Sequence, residues 1–317
     1  MLKALRKLLL VVVLPIALLI TAALIWLRID ASRPLNAYFD ARQGALGGVD
    51  VLESRVDGGQ VDRLLEIRSD SGLRVRARVV RPSFADDRLP VLIILGGHRT
   101  GSDAVDLFGD VGAKAVVALD YPYEGPQKVR GIGQIIDALP LARRAFRDTP
   151  PSVSLVVDWL VREDWADSER LVIVGASLGV PFATLAAARD QRLAGAILVH
   201  GAADNLAWLE VQIARRNEDT RLHRPLATLI HWLAYGPTFD TARNVAEISP
   251  RPIVIVGATE DERTPPAQTE ALFRAAKQPK LMRWTDGRHV QPDRAEIVGE
   301  LLRVADEVLS FVTGSDR

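Results

Sequence analysis

The chain has no cysteine among its 317 residues, and that absence excludes disulfides, thiolate metal sites and a cysteine nucleophile together. It leaves the compartment open, because a chain without cysteine needs no oxidative folding and suits either environment. Net charge is missing too: 40 basic residues balance 40 acidic ones, so no excess of positive charge argues for nucleic-acid binding. The five histidines lack a ligand spacing such as H-E-x-x-H, and neither a phosphate loop nor a dinucleotide fingerprint is present. No metal and no cofactor is therefore implied. Internal repeats and low-complexity tracts are likewise absent, which removes a solenoid.

What the chain does have is one long apolar run. Leu8 to Leu27 is uninterrupted, and as a helix it would span about 30 Å, the thickness of a bilayer's hydrocarbon core. Pro15 is expected only to kink it. Lys3, Arg6 and Lys7 precede the run, while Arg28, Asp30 and Arg33 follow it. That asymmetry predicts a single-pass membrane protein with a cytoplasmic N-terminus and the globular part periplasmic or extracellular. A cleaved signal peptide is the rival, but the run is longer than a signal's apolar core and ends in Trp26-Leu27-Arg28, which offers no small-x-small cleavage site. We therefore expect residues 1–30 to form the anchor or signal segment and residues 31–50 a juxtamembrane connector, with a globular domain over 51–317.

Three strand-like stretches open that domain, at Val51–Val56, Val61–Ile67 and Leu73–Val80. In the last, Leu73, Val75, Ala77 and Val79 alternate with Arg74, Arg76 and Arg78, the pattern of a half-exposed antiparallel strand whose basic stripe is a solvated face. From residue 91 the pattern changes to short, wholly apolar runs separated by helical segments, as parallel strands buried on both faces require. The strands expected are Val91–Leu95, Ala115–Leu119, Leu171–Val174, Ala196–Val199, Ile253–Val256 and Leu281–Trp284. Helices are expected at Ala104–Val111, Val153–Glu163, Leu178–Arg189, Pro266–Lys277 and Asp293–Val312. Tyr121–Pro150 and Asn205–Glu247 interrupt the rhythm and read as inserts, the second a helical cap. Its Trp208, Trp232 and Tyr235 are candidates for a pocket lining, although such spacing also suits ordinary core.

The run Leu171–Val174 leads directly into Gly175-Ala176-Ser177-Leu178-Gly179. A serine on a sharp strand-to-helix turn presents its hydroxyl clear of the sheet, and the two glycines allow the turn and keep side chains away from it. Such a serine needs a base. His289 fits best among His98, His200, His223, His231 and His289, because it lies in a loop after the final strand and before the last helix. The base needs a carboxylate, and Asp261 in the loop after Ile253–Val256 is the leading choice. Glu260 and Glu262 are its neighbours and Asp204 a more distant alternative. For a developing oxyanion the candidate donors are the backbone amides of Leu178 and of His98, or of Arg99 beside it, after Gly96-Gly97.

Gly96-Gly97-His98 after a strand, the elbow at Ser177, Asp261 after the next-to-last strand and His289 before the last helix resemble the α/β-hydrolase superfamily. So does the chain order serine, aspartate, histidine. The resemblance covers roughly residues 50–315. The Asp158-Trp159-Leu160 helix with Asp167-Ser168-Glu169-Arg170 before the elbow strand looks most like the esterase and prolyl-peptidase-like branches. Val180 stands where many members carry a further glycine, and Gly96-Gly97 replaces a His-Gly pair; neither removes an amide donor. The fold class expected is α/β, a mostly parallel sheet flanked by helices, with a helical cap and an N-terminal transmembrane helix.

The activity expected is hydrolysis of a carboxylic ester, a small-molecule acyl substrate, through an acyl-enzyme on Ser177. Peptidase, thioesterase and acyltransferase chemistry use the same parts. A non-catalytic hydrolase-like binding domain is the alternative from another class.

Overall fold

A computed structural model describes residues 9–97, 100–126, 128–291, 293, 299 and 310–312. Lys3, Arg6, Lys7, His98, Arg99 and most of the helix expected over Asp293–Val312 lie outside the described residues. A π-helical turn, Leu9–Val13, leads into helix α1 (Leu14–Ala31). Leu10–Ala31 is long and apolar enough to cross a membrane, and within α1 only Leu27 and Ala31 are buried. Pro15 stands in the first turn of α1.

The segment expected as a connector is itself folded. Helix α2 (Asn36–Gln43) buries Phe39, and β1 already begins at Leu46. Phe39 joins the main core, while Asp148, 2% exposed, accepts hydrogen bonds from Tyr38 and from Arg42 Nε at 3.0 Å. Burial, reinforced by that carboxylate, pushes the Tyr38 phenol up to about 12. One apolar anchor among polar residues is a weak periodic signal, which is why α2 does not stand out in the sequence.

The described strands form one sheet in the order β1 (Leu46–Asp57), β2 (Gln60–Ser69), β3 (Arg74–Pro82), β5 (Ala115–Leu119), β4 (Leu89–Leu95), β6 (Ala166–Ala176), β7 (Gly195–Val199), β8 (Ile253–Ala258) and β9 (Lys280–Thr285). The β1/β2, β2/β3 and β3/β5 pairs are antiparallel and the rest parallel. Each expected strand is present. In β4, Val91, Ile93 and Leu95 join a core on one face of the sheet, while Leu92 and Ile94 join the core on the other. Burial on both faces explains the unbroken apolar runs. In β3 the alternation holds: Arg74 and Arg76 are exposed, and Arg78 is drawn to Asp62 and Asp106.

The helices depart from expectation in two places. Within the segment expected as the first insert, residues 131–150 are helical, because helix α3 runs over Gly131–Leu160 with Pro140, Pro150 and Pro151 inside it. Interior prolines usually end a helix by removing a backbone bond. Here the C-terminal half buries Val153, Leu155, Val156, Val157 and Leu160 completely, and the hydroxyls of Thr149 and Ser152 donate to the carbonyls of Ala145 and Asp148. Packing on one face outweighs the local penalty. The helix expected at Ala104–Val111 is a 3-10 turn over Ser102–Leu107.

Helix α4 (Gly179–Arg189) follows β6, and α8 (Pro266–Ala275) follows β8. Between β7 and β8 the chain forms three helices, α5 (Asn205–Ala214), α6 (Thr220–Leu233) and α7 (Thr241–Ala246). The side chains of Asp204, Asp219 and Asp240 cap them in turn.

If α2 belongs to the folded unit, Phe39→Ala will cost about 3 kcal/mol or more and lower the thermal midpoint by roughly 6 °C. Differential scanning fluorimetry of the detergent-solubilised protein checks this. An unchanged midpoint would show that α2 adds nothing to the core.

Candidate active site

The turn from β6 into α4 places Ser177 at φ +53°, a left-handed conformation that a residue with a side chain adopts only when its surroundings impose it. They do so here. The Ser177 N–H donates to Val199 O at 2.9 Å, and Val180 N–H donates to Ser177 O at 3.1 Å. A Cβ on Gly179 would lie 2.1 Å from Leu95 O, and one on Gly175 would lie 2.6 Å from the Ala183 Cβ. The start of α4 thus crosses the end of β4 at backbone contact, which only glycine permits.

Two further loops meet this turn, both at the C-terminal ends of parallel strands, where open α/β sheets form their sites. The loop after β8 carries Asp261, whose Oδ1 accepts the N–H groups of Arg263 and Thr264 at 2.8 and 2.7 Å. The loop after β9 carries His289. Backbone bonds from Thr259 N to Thr285 O at 3.0 Å and from Glu260 N to Gly287 O at 2.8 Å join the two loops. His289 Nδ1 lies 2.9 and 2.8 Å from the two Asp261 carboxylate oxygens, and its Nε2 lies 2.7 Å from Ser177 Oγ. These partners assign the proton to Nδ1, which donates to the carboxylate, and leave Nε2 to accept the serine hydroxyl. Asp261 and His289 are both buried.

The structure therefore brings together Ser177, Asp261 and His289, the three side chains singled out in the sequence. Of the alternative acids, Glu260 is exposed, Glu262 accepts the His289 backbone N–H at 3.0 Å, and Asp204 caps α5. Leu178 stands at the N-cap of α4, where backbone N–H groups have no carbonyl one turn back and the helix dipole is positive. His98 lies outside the described residues. Gly97 lies beside the serine, since a Cβ there would be 3.5 Å from Ser177 Cβ. Tyr121 Oη fixes the adjoining Gly96 by donating to its carbonyl O at 2.6 Å, and burial pushes its phenol up.

Sequence reasoning passed over His200. It follows β7, is fully buried, and its Nδ1 accepts the Val290 N–H at 2.8 Å while lying 3.7 Å from Asp261 Oδ2. Its place at the C-terminal end of a parallel strand, before Gly201, was the available signal. His200, Asp261 and His289 also bring three potential metal-ligand atoms within 4.8 Å of one another. The two Nδ1 atoms are already engaged, one accepting from Val290 and the other bonded to Asp261.

A cavity of about 130 Å³ opens beside Ser177, walled by Phe146, Phe182, Trp208, Leu209, Ile230 and Phe239. Trp208 serves as a lining residue, whereas Tyr235 lies in the core with the guanidinium groups of Arg143 and Arg147 over its ring. Trp232 is partly buried and does not line the cavity. Helix α5 is tied to the Asp261 loop, with Gln212 donating to Arg263 O at 2.8 Å and Arg215 to Glu262 O at 2.9 Å. Thr264 reaches the cavity wall with a buried hydroxyl that has no hydrogen-bond partner among the described residues.

A model of the prolyl oligopeptidase family matches residues 147–301, just under half of the chain. Among solved structures, the acetyl xylan esterase from Paenibacillus sp. R4 is similar with a TM-score of 0.61 at 18% identity, over 88% of this chain and 98% of that one. Acetyl xylan esterase 1 from Thermoanaerobacterium sp. JW/SL YS485 gives 0.60 at 19% identity, over 91% and 97%. A puromycin-hydrolyzing peptidase from Mycobacterium tuberculosis gives 0.57 at 17%, over 82% and 48%. A search of curated proteins returns no match. The chain has the α/β-hydrolase fold, and the superfamily resemblance read from its motifs is borne out.

The crossing of α4 on β4 predicts that Gly179→Ala will be destabilising by about 1–3 kcal/mol, since backbone must move to admit the methyl group. A thermal midpoint equal to the parent's would contradict the close contact.

Proposed function

We propose that the protein is a membrane-anchored serine hydrolase that cleaves a carboxylic ester. The observation that carries this reading is the continuous chain of hydrogen bonds from Ser177 Oγ through His289 to Asp261. The family match and the esterase neighbours support serine hydrolysis as the class of chemistry.

In this reading Ser177 Oγ attacks the ester carbonyl while His289 Nε2 takes the hydroxyl proton. Asp261 orients the ring and stabilises the imidazolium that forms. The tetrahedral oxyanion is held by the Leu178 amide, with the His98 amide assigned as the second donor. Collapse breaks the C–O bond as His289 returns the proton to the departing alcohol, leaving an acyl group on Ser177. Water then attacks the acyl carbon, gives its proton to His289 and releases the acid, and the proton returns to Ser177. A peptidase would use the same steps with an amine as leaving group, and the prolyl oligopeptidase family match is the observation in its favour.

The anchor reading is supported by the span Leu10–Ala31. The bond from Arg143 of α3 to Asp30 at the end of α1, at 2.5 Å, would hold the body against the membrane-proximal turn. The orientation we propose keeps the N-terminus cytoplasmic and the body outside.

Hydrolysis of 4-nitrophenyl butyrate tests the assignment. Ser177→Ala is expected to abolish turnover, and Asp261→Asn to lower kcat about 10³–10⁴-fold. Glu260→Gln and Glu262→Gln should stay within a few-fold of the parent. The reverse ranking among the acids would move the orienting role away from Asp261.

A further inference from the structure

We infer that the cavity beside Ser177 receives the acyl part of the ester and is built for a compact acid about the size of a benzene ring. This rests on the serine-hydrolase reading. Phe146 and Phe182 stack at 5.4 Å with an interplanar angle of 7°, and Phe182 meets Phe239 edge-on at 4.8 Å. Three rings that brace one another make a wall that cannot collapse onto a smaller group. The α5 residue Trp208 and the α6 residue Ile230 contribute to the lining from the cap, and α5 is tied down on the Asp261 loop.

The cavity holds about 130 Å³, slightly less than the roughly 150 Å³ apolar cavity known to admit benzene. A benzoyl group, or an aliphatic chain of roughly four to six carbons, fills that space. An acetyl group leaves most of the wall without contacts, and a ten-carbon chain exceeds the walled volume, so that its end projects past the walls without gaining contacts.

A series of 4-nitrophenyl esters with acetyl, butyryl, hexanoyl, benzoyl and decanoyl groups, assayed on the full chain in detergent, tests the inference with a constant leaving group. The expected result is that butyryl, hexanoyl or benzoyl esters exceed both acetyl and decanoyl esters about tenfold or more in kcat/KM. Trp208→Ala should move the optimum to longer chains. An acetyl optimum, a steady rise to decanoyl, or rates that do not change with the acyl group would overturn it. If no ester is cleaved and a fluorophosphonate fails to label Ser177, the hydrolase reading itself falls and this inference with it.

A separate observation leads us to propose that His200 is a positioning residue for His289. Its backbone N–H is bonded to Val256 O at 2.8 Å, and its φ is +53°. The ring accepts the N–H of Val290, the residue immediately after His289, at 2.8 Å. Its Nε2 lies 3.4 Å from Thr285 Oγ1, which in turn donates to Gly257 O at 3.2 Å. The ring thus ties the base-bearing loop to the ends of β7, β8 and β9.

Acceptance by Nδ1 requires a neutral ring with its proton on Nε2. Burial lowers the His200 pKa to about 4, with neighbouring His289 acting in the same direction and Asp261 and Glu262 opposing it.

His200→Ala and His200→Asn in the full chain separate positioning from bulk structure. Asparagine tolerates the left-handed backbone and offers a side-chain acceptor. With kcat normalised to sites titrated by fluorophosphonate, His200→Ala is expected to lose tenfold or more in kcat with KM within about twofold. His200→Asn should recover most of it. An unchanged kcat per titrated site in His200→Ala, or equal losses in both variants, would overturn the role.

Discussion

At Ser177 the chain leaves β6 and enters α4 through a single left-handed residue, a conformation that costs about 1–3 kcal/mol. The rest of the site is arranged around that turn. Gly179 lets the new helix touch the Leu95 carbonyl, Gly97 lies beside the serine Cβ, and Gly201 avoids Val180, whose side chain a Cβ there would meet at 2.5 Å. With three backbones this close, the serine hydroxyl has a fixed place above the sheet. The loops after β8 and β9, joined to each other by backbone bonds, carry Asp261 and His289 to it.

How much of this was legible in the sequence depends on how each element is stabilised. Buried parallel strands are written as unbroken apolar runs, so Val91–Leu95 and Ile253–Val256 stood out and the residues after them could be read as site loops. Glycines flanking Ser177 and the order of Ser177, Asp261 and His289 carried the resemblance to a superfamily. Helix α3 was obscured because Pro150 and Pro151 are strong local signals to stop, while the forces that override them are tertiary. Helix α2 was missed because its contribution rests mainly on Phe39 and on Asp148, more than a hundred residues away. His200 gave only the weak hint of its position after a strand. Its partner, the Val290 backbone amide, is anonymous in any sequence.

The cap shows the same limit from another side. Trp208, Trp232 and Tyr235 look alike as helical aromatics, yet only Trp208 borders the cavity. Tyr235 is held in the core under two guanidinium groups. Which aromatic faces a site is decided by how the cap helices dock. That docking is set by long-range bonds such as those from Gln212 and Arg215 to the Asp261 loop.

The proposed chemistry requires Ser177 to be an activated nucleophile. Intact-mass and peptide mass spectrometry of the full chain in detergent, after exposure to a fluorophosphonate, tests it most directly. One added phosphonyl group per chain is expected, on the peptide containing Ser177, and none in Ser177→Ala. Labelling on another residue, or none in folded protein whose cavity is open to the probe, would contradict it.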